Sequence, residues 1–519
     1  MLTLERSRTV DIAPEDRRPH AIVVGSGFGG LAAAVRLGAK GYRVTVLERL
    51  DAPGGRAYVH HQDGFVFDAG PTIITAPWLF EDLWRLCGRE LADDVDLRAV
   101  DPFYRLVYDN GDTIECPASL EAMRAEVARV SPGDVAGYDR FMAHSREMCA
   151  IGFEKLGHVP FMSLWDLVKA APDLLRLGGH RSVYDLVSSF IKDERLRIAL
   201  SFHPLFVGGN PFDTTAVYCM ITDFERRWGV HFAMGGTGSL VKGLVSLIEG
   251  QKGRVRYNCD VEEILVENDA VRGVRLVSGE TLAAEIVVSN ADAATTYRQL
   301  VPGARRKRWT NWRLDHSKYS MSLFVWYFGT KRKYDDVPHH TILFGPRYKG
   351  LVNDIFRAKG LAKDFSVYLH RPTATDPSLA PEGCDAFYVL SPVPHLDAGV
   401  DWEVQAEPYR RAIEARLSET LLPGLECEII SSRVTTPLDF KTRYRSEKGA
   451  AFSLAPTLIQ SAWFRPNNRS EDVRGLYLVG AGTQPGAGVP GVLSSARILD
   501  GLVPDAVPLE PAVARRARV

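Results

Sequence analysis

The glycine spacing Gly25-x-Gly27-x-x-Gly30 sits between an apolar run, Ala21 to Val24, and an alanine-rich stretch, Leu31 to Lys40. That context leaves the chain few folds. A short β-branched run with no polar alternation reads as a strand buried on both faces of a parallel sheet. The alanine-rich stretch reads as a helix that Gly41 stops. Tyr42 to Leu47 reads as a second strand, and the three pieces make one βαβ unit. In such a unit Gly25 permits a tight turn, Gly27 admits a pyrophosphate close to the backbone, and Gly30 lets helix pack on strand. The helix N-terminus then presents free N–H groups and a positive dipole end to phosphate. Glu48 closes the second strand 18 residues past Gly30, placed to accept hydrogen bonds from a ribose.

A second loop decides which dinucleotide. Gly54-Gly55-Arg56 brings another glycine pair and a cation toward the same phosphates, an extension that resembles flavoproteins such as amine oxidases and carotenoid desaturases. Glu48 would repel a 2′-phosphate. FAD is the expected cofactor. A further glycine-rich element, Gly480 to Gly491, again joins a strand, Leu476 to Val479, to a helix from Val492 to Leu502. Flavoproteins of this class hold the ribityl chain and flavin ring at such a junction, so Gly480, Gly482, Gly488, Val489 and Pro490 are expected at the cofactor. Two nucleotide-type junctions at opposite ends of one chain must meet in space. The fold class expected is α/β, with a Rossmann-type FAD-binding domain discontinuous in sequence, a β-rich substrate domain and a helical insertion.

The pattern between the ends supports that division. Pro117 to Cys219 reads as long amphipathic helices, among them Leu120 to Val130, Val135 to Phe153 and Leu164 to Leu177. Strand signals return at Val255 to Val266, Val271 to Leu276 and Ile286 to Val288, then from Met321 to Leu390, before a helix over Glu403 to Leu422. The expected pieces are 20–105, 228–306 and 445–505 for the FAD-binding domain. Residues 106–125 and 307–444 fall to the substrate domain, and 126–227 to a helical insertion that can face a membrane.

Composition limits the function classes. With 63 Lys and Arg against 64 Asp and Glu, the net charge of -1 offers no basic surplus for nucleic acid. The 7 cysteines are scattered, with no CxxC pair or Cys/His cluster, so reduced thiols and no metal site are expected. The first twenty residues carry Glu5, Asp11, Glu15 and Asp16 and no apolar core, unlike a secretory signal. No apolar run is long enough to span a bilayer. A cytoplasmic location is expected.

Several motifs go beyond general flavoprotein features. They include Val24 to Leu31, Pro53 to Tyr58, Phe67-Asp68-Ala69-Gly70-Pro71, Phe202 to Pro211, Gly235 to Gly238, Ser289-Asn290-Ala291-Asp292, Phe344 to Tyr348 and Ser461 to Pro466. On these motifs the chain resembles the bacterial-type phytoene desaturases from about Ala21 to Leu502. The resemblance implies FAD-dependent removal of hydrogen from 15-cis-phytoene in successive steps to neurosporene or lycopene. It also implies transfer of electrons to oxygen or a membrane quinone. Phe28, Gly29, Arg49, Gly70, Pro71, Val261 and Asn290 join the expected cofactor-binding residues on this ground. The sequence departs from the family at Gln484, where a histidine is usual. Glutamine can hydrogen-bond but cannot titrate.

A hydrocarbon offers nothing polar to grip, so its binding must come from apolar burial, about 25 cal/mol per Å². Aromatic residues are 10% of the chain. Candidates for lining a tunnel are Phe202, Phe206, Phe224, Trp228, Phe232 and the run Phe324, Trp326, Tyr327, Phe328, although each taken singly reads first as ordinary core. The reaction takes a hydride to flavin and a proton from the adjacent carbon. Asp166, Lys169 and Gln484 are candidates for handling that proton, although Asp166 and Lys169 also read as a solvated i,i+3 pair. The stretch Val159 to Leu177, with Phe161, Met162, Leu164, Trp165, Leu167 and Val168 near Lys169, Arg176, His180 and Arg181, suits peripheral docking on the inner membrane or packing on the protein's own core. The alternatives are a tail-modifying or C30 carotenoid desaturase, an amine or protoporphyrinogen oxidase, a carotenoid isomerase, and a non-redox isoprenoid carrier.

Overall fold

The computed structural model describes residues 17–303 and 306–507. The expectations for most of the leader and for the basic tail from Ala512 lie outside those residues. At the centre is a five-stranded parallel sheet in the order Leu476–Leu478, Ile286–Ser289, His20–Val24, Arg43–Leu47, Arg254–Arg256. The first strand of the chain lies in the middle, and all five of its residues are buried. Three stretches far apart in sequence therefore build one sheet.

Each face of that sheet has its own core. On one side pack the helices Phe28–Ala39, Thr237–Gly250 and Val489–Leu502, with Ala21 and Val23 beneath them. Small residues in the first helix (Ala32, Ala33, Ala34) are fully buried and bring it close to its neighbours. On the other side Ile22 and Val24 pack against a three-stranded antiparallel sheet, Val261–Glu267, Ala270–Leu276 and Thr281–Ala283. The single strand expected over Val255 to Val266 is two strands in different sheets. Asn258 between them has a φ of 54° and breaks the run.

A seven-stranded sheet forms the second layer, in the order Ile429–Thr435, Ser322–Thr330, Asp385–Val393, Val367–His370, His340–Leu343, Tyr104–Val107, Thr113–Cys116. One pairing, His340–Leu343 with Tyr104–Val107, is parallel; the others are antiparallel. The boundary expected between residues 105 and 106 thus falls inside a strand, because Tyr104 and Arg105 already pair with Cys116 and Glu115. Strand Ser322–Thr330 is buried at all nine positions, with Trp326 and Phe328 stacked 4.2 Å apart on the face covered by helix Trp402–Thr420. Helices between residues 120 and 228 cover the opposite face. No helix among the described residues is long and apolar enough to cross a membrane.

The first turn after the central strand has no room to spare. A Cβ at Gly30 would stand 2.1 Å from the Gly25 carbonyl oxygen. Gly250, at the end of a helix, has nothing within 4 Å of that position. We expect Gly30→Ala to destabilise the protein by about 1–3 kcal/mol through overpacking. Gly250→Ala should be neutral or stabilising by about 0.5 kcal/mol. Denaturant unfolding of the two variants checks both; equal midpoints would contradict the crowding at Gly30.

Candidate active site

Two helices aim uncapped N-termini at one place. Helix Phe28–Ala39 starts at Gly27 and helix Val489–Leu502 at Gly488; neither start has a side-chain cap or an acidic residue in its first turn. The second helix begins three residues earlier than expected because Pro490, with its fixed φ, suits the first turn. Both starts line a single cavity of about 430 Å³.

The loops meet on a wedge, Asn290. A Cβ at Gly29 would lie 2.7 Å from the Asn290 side-chain oxygen and 3.0 Å from Gly480 Cα. One at Gly480, whose φ is +97°, would lie 2.6 Å from the same oxygen. Only glycines allow the two ends of the chain to close on that amide.

Most of the expected cofactor residues line the cavity: Gly25, Gly27, Phe28, Gly29, Glu48, Arg49, Gly54, Gly55, Arg56, Gly70, Pro71, Val261, Asn290, Gly480, Gly488, Val489 and Pro490. Gly30 and Gly482 do not; Gly30 sits behind the turn and Gly482 against Ala293. Glu48 accepts from Ser26 N at 2.9 Å, Ser26 Oγ at 2.6 Å and Leu50 N at 2.9 Å. Of the roughly four acceptor positions on a carboxylate, about one is left for a ligand. Arg49 spends its guanidinium on the Thr442 and Arg443 carbonyls, both at 2.7 Å. Pro485, which follows Gln484, lines the cavity.

The donor set fits an anionic dinucleotide. Arg56 lines the cavity, its Nε is buried without a partner, and burial lowers its pKa. Arg443 has two buried unpartnered nitrogens on the same lining. Two helix N-termini and two guanidinium groups on one lining favour phosphate oxygens. Asp68 steadies the floor: it receives the Thr237 N–H, while the Thr237 hydroxyl donates to the Pro71 carbonyl at 2.7 Å. Burial pushes the Asp68 carboxyl up to about 6.

Away from the glycines the walls are largely apolar. Phe206 and Phe224 line the cavity, with Leu323, Val325 and Leu390 from the large sheet. The other aromatic candidates do not. Trp326, Phe324 and Phe328 lie on the far face, in the core under helix Trp402–Thr420. Side chains alternate along a strand, so an unbroken apolar run sends only every second residue to the cavity. Phe202 stands behind Phe206 at 5.3 Å, Trp228 lies in a separate cleft beside Trp78 and Arg497, and Phe232 packs on His339.

The proton-handling candidates are placed elsewhere. Asp166 caps helix Leu164–Arg176, accepting from Ser163 N at 2.8 Å and Ser163 Oγ at 2.9 Å, and these bonds hold its pKa down. Lys169 is exposed on the same helix. Neither lines the cavity. Gln484 is 1% exposed and acts as a staple: it accepts the Phe161 N–H at 2.9 Å and donates to Phe161 O, Ala462 O and Asn467 Oδ1. This anchors Phe161 inside the protein, off any docking face.

The sequence reading missed Glu225. Its carboxylate is buried at the apolar wall of the cavity. It accepts from the Tyr104 hydroxyl at 2.6 Å and from His203 Nε2 at 3.1 Å. Burial, then the adjacent carboxylate, holds the Tyr104 phenol far above its usual range, so it stays a donor. Glu225 sits in an Arg-rich helix end, Asp223 to Arg227, where pattern alone reads as solvated charge.

Comparison with known proteins agrees with this geometry. The family model for flavin-containing amine oxidoreductases matches residues 28–498. The chain belongs to that family, and its cofactor is FAD. Among its relatives, a neurosporene-forming phytoene desaturase of Cereibacter sphaeroides is 52% identical, over 95% of this chain and 96% of its own length. A lycopene-forming phytoene desaturase of Pantoea ananas is 47% identical over 93% of this chain and 98% of its own. Among solved structures, a putrescine oxidase with bound putrescine superposes with a TM-score of 0.64 at 14% identity, covering 93% of this chain and 98% of that one. An oxidoreductase of Methanosarcina mazei gives 0.60 at 18% identity, covering 92% and 99%. These last two share the fold.

The four bonds of Gln484 generate a prediction. Gln484→Leu strands the Phe161 N–H and the Asn467 amide oxygen, at about 1–3 kcal/mol for each buried unpaired group. Thermal unfolding of the FAD-loaded protein should show that loss, with no shift in the pH profile of activity. A changed pH profile at unchanged stability would make Gln484 a proton carrier instead.

Proposed function

We propose that this protein is a phytoene desaturase that removes hydrogen from 15-cis-phytoene in successive steps, giving neurosporene or lycopene. The observation that carries this reading is one cavity with two characters, an anion-binding glycine end continuous with an apolar wall. Two desaturase relatives near half identity along almost the whole chain support it. FAD bound at the glycine end supplies a two-electron acceptor for hydride.

The chain's own residues supply the rest. Apolar walls grip the hydrocarbon by burial and exclude water. Glu225 takes the proton from the carbon next to the one that loses hydride. It is the cavity carboxylate set among apolar groups, whereas Glu48, Asp260 and Asp292 line the cavity with the glycine loops and their supports. Tyr104 and His203 orient it.

Access fits a peripheral association with the membrane. Leu164, Trp165, Val168 and Leu175 are exposed on one helix, Trp165 at 72%. Lys169 and Arg176 are exposed beside them, a pairing of apolar and basic groups suited to an anionic lipid surface. Electrons then pass to oxygen or a membrane quinone.

The deciding experiment incubates FAD-loaded protein with phytoene in liposomes and separates the products by chromatography. We expect anaerobic bleaching of the flavin by phytoene and formation of more conjugated products. Unchanged phytoene under a range of acceptors would sink the reading, and bound flavin without bleaching would point to an isomerase or another substrate. Glu225→Gln should lower kcat about 10²–10⁴-fold with flavin content retained; wild-type turnover would remove Glu225 from the mechanism. Replacing Trp165 and Leu175 by Asp should release the protein from anionic liposomes, and equal binding would exclude this helix as the docking face.

A further inference from the structure

Three histidines that are distant from the glycine loops converge in the core of the large sheet. His340 and His370 face each other across an antiparallel pair of strands, and His339 immediately precedes the first strand. Their relative exposures are 5%, 0% and 0% for His339, His340 and His370. Ring centroids are 4.4 Å apart for His339 and His340, 4.8 Å for His339 and His370, and 5.3 Å for His340 and His370. One nitrogen from each ring lies within 4.8 Å of the other two.

The outward nitrogens are already engaged. His339 Nδ1 meets Thr375 Oγ1 at 2.6 Å, and His340 Nδ1 meets the Tyr368 hydroxyl at 2.6 Å. That leaves Nε2 of both rings turned to the cluster. His370 Nε2 is 3.0 Å from His339 Nε2, and His340 Nε2 is buried with no partner. His370 Nδ1 is also unpartnered. Buried polar nitrogens without partners are costly to keep in a fold.

We propose that His339, His340 and His370 bind a divalent transition metal, with zinc the best match, through their Nε2 atoms. Zinc–nitrogen bonds of about 2.0–2.1 Å in a tetrahedron put ligand nitrogens roughly 3.4 Å apart. The His339–His370 pair is close to that already, and the ligand nitrogens of all three rings lie within 4.8 Å of one another. Thr375 and Tyr368 play the outer part that metal-bound imidazoles ordinarily need, a hydrogen-bond partner on the far nitrogen that fixes tautomer and ring plane. Burial lowers the pKa of all three rings, that of His339 to about 3, which keeps their lone pairs available. Phe232, 4.7 Å from His339, and Tyr388, 4.9 Å from His370, pack against the cluster. The neighbouring cation is spoken for: Arg371 pairs with Asp385 at 3.0 Å and donates to the Tyr334 and Val337 carbonyls.

The site has a consequence for the cavity. Tyr368 lines the cavity, and its hydroxyl meets both His340 and Thr72. A metal on His340 therefore fixes the orientation of a wall residue. The proposal does not depend on which hydrocarbon the cavity holds.

Elemental analysis of tag-free, FAD-loaded protein purified without chelator tests it. We expect about one zinc per chain after equilibration with Zn²⁺ and dialysis. Replacement by Co²⁺ should give the visible absorption bands of a four-coordinate site with three nitrogen ligands and a water. His340→Ala and His370→Ala should lower zinc content tenfold or more. Thr375→Val, which removes no ligand, should weaken Zn²⁺ binding about 10–100-fold at unchanged FAD content and circular dichroism. Folded wild type with no zinc above the buffer blank and no cobalt bands would overturn the site, as would wild-type binding by the His340→Ala protein. Should the alanine variants misfold, the cobalt spectrum of the wild type and the Thr375→Val titration still decide.

Discussion

The contact of two glycine loops on the Asn290 side chain is the constraint on which the rest of this molecule depends. Gly29 and Gly480 are separated by nearly the whole chain, yet each would clash with that amide if it carried a Cβ. Their approach is what puts two helix N-termini on one cavity. It also dictates the sheet. Strand Ile286–Ser289 must lie beside His20–Val24, and Leu476–Leu478 beside Ile286–Ser289, for their C-terminal ends to deliver Asn290 and Gly480 to the same spot. An anion-binding site made from two dipoles thus requires a domain assembled from three sequence segments, and everything between those segments is free to become the substrate region.

That logic explains which features were legible in the sequence. The glycine turn is local: Gly25, Gly27, Gly30 and Glu48 lie within one βαβ unit, so spacing alone reports their geometry. Gly480 to Pro490 follows the same rule at a second junction. The tunnel aromatics are a different case. Phe324, Trp326 and Phe328 share a strand with Val325 and Leu323, and all are apolar because the strand is buried on both faces. Hydrophobicity then carries no phase, and only the packed helix Trp402–Thr420 reveals which face belongs to the cavity. Glu225 was illegible for a related reason. A carboxylate just before two arginines reads as solvent-facing until Tyr104 and His203, brought from a strand and a turn elsewhere, are seen to surround it. The three histidines fail the usual spacing test because a strand pairing, not a short loop, brings His370 to His340.

Gln484 shows how a departure from a family pattern can be absorbed. A histidine offers two ring nitrogens; the glutamine here makes four hydrogen bonds, two of them to Phe161. Its work is mechanical. It ties the segment leading into the exposed helix Leu164–Arg176 to the peptide just before Pro485, which is part of the cavity lining. The exposed apolar helix and the glycine-rich loop on the cavity are thereby one connected piece.

This connection matters because the substrate brings no polar group. An enzyme acting on a sugar or an amine can use hydrogen bonds to select and orient it, and a mispaired ligand is rejected by the cost of stranded polar atoms. A hydrocarbon pays no such penalty anywhere in an apolar cavity, so register along the chain must come from wall shape and from where the molecule enters. Shape is rigid here: Leu323, Val325 and Leu390 come from the interior of a seven-stranded sheet, and Tyr368 and Tyr388 are tethered through Thr72. Entry is the remaining variable, and the Gln484 staple couples it to the flavin end. If the protein docks through helix Leu164–Arg176 as proposed, a fixed distance from that face to the glycine loops is the ruler for a featureless substrate.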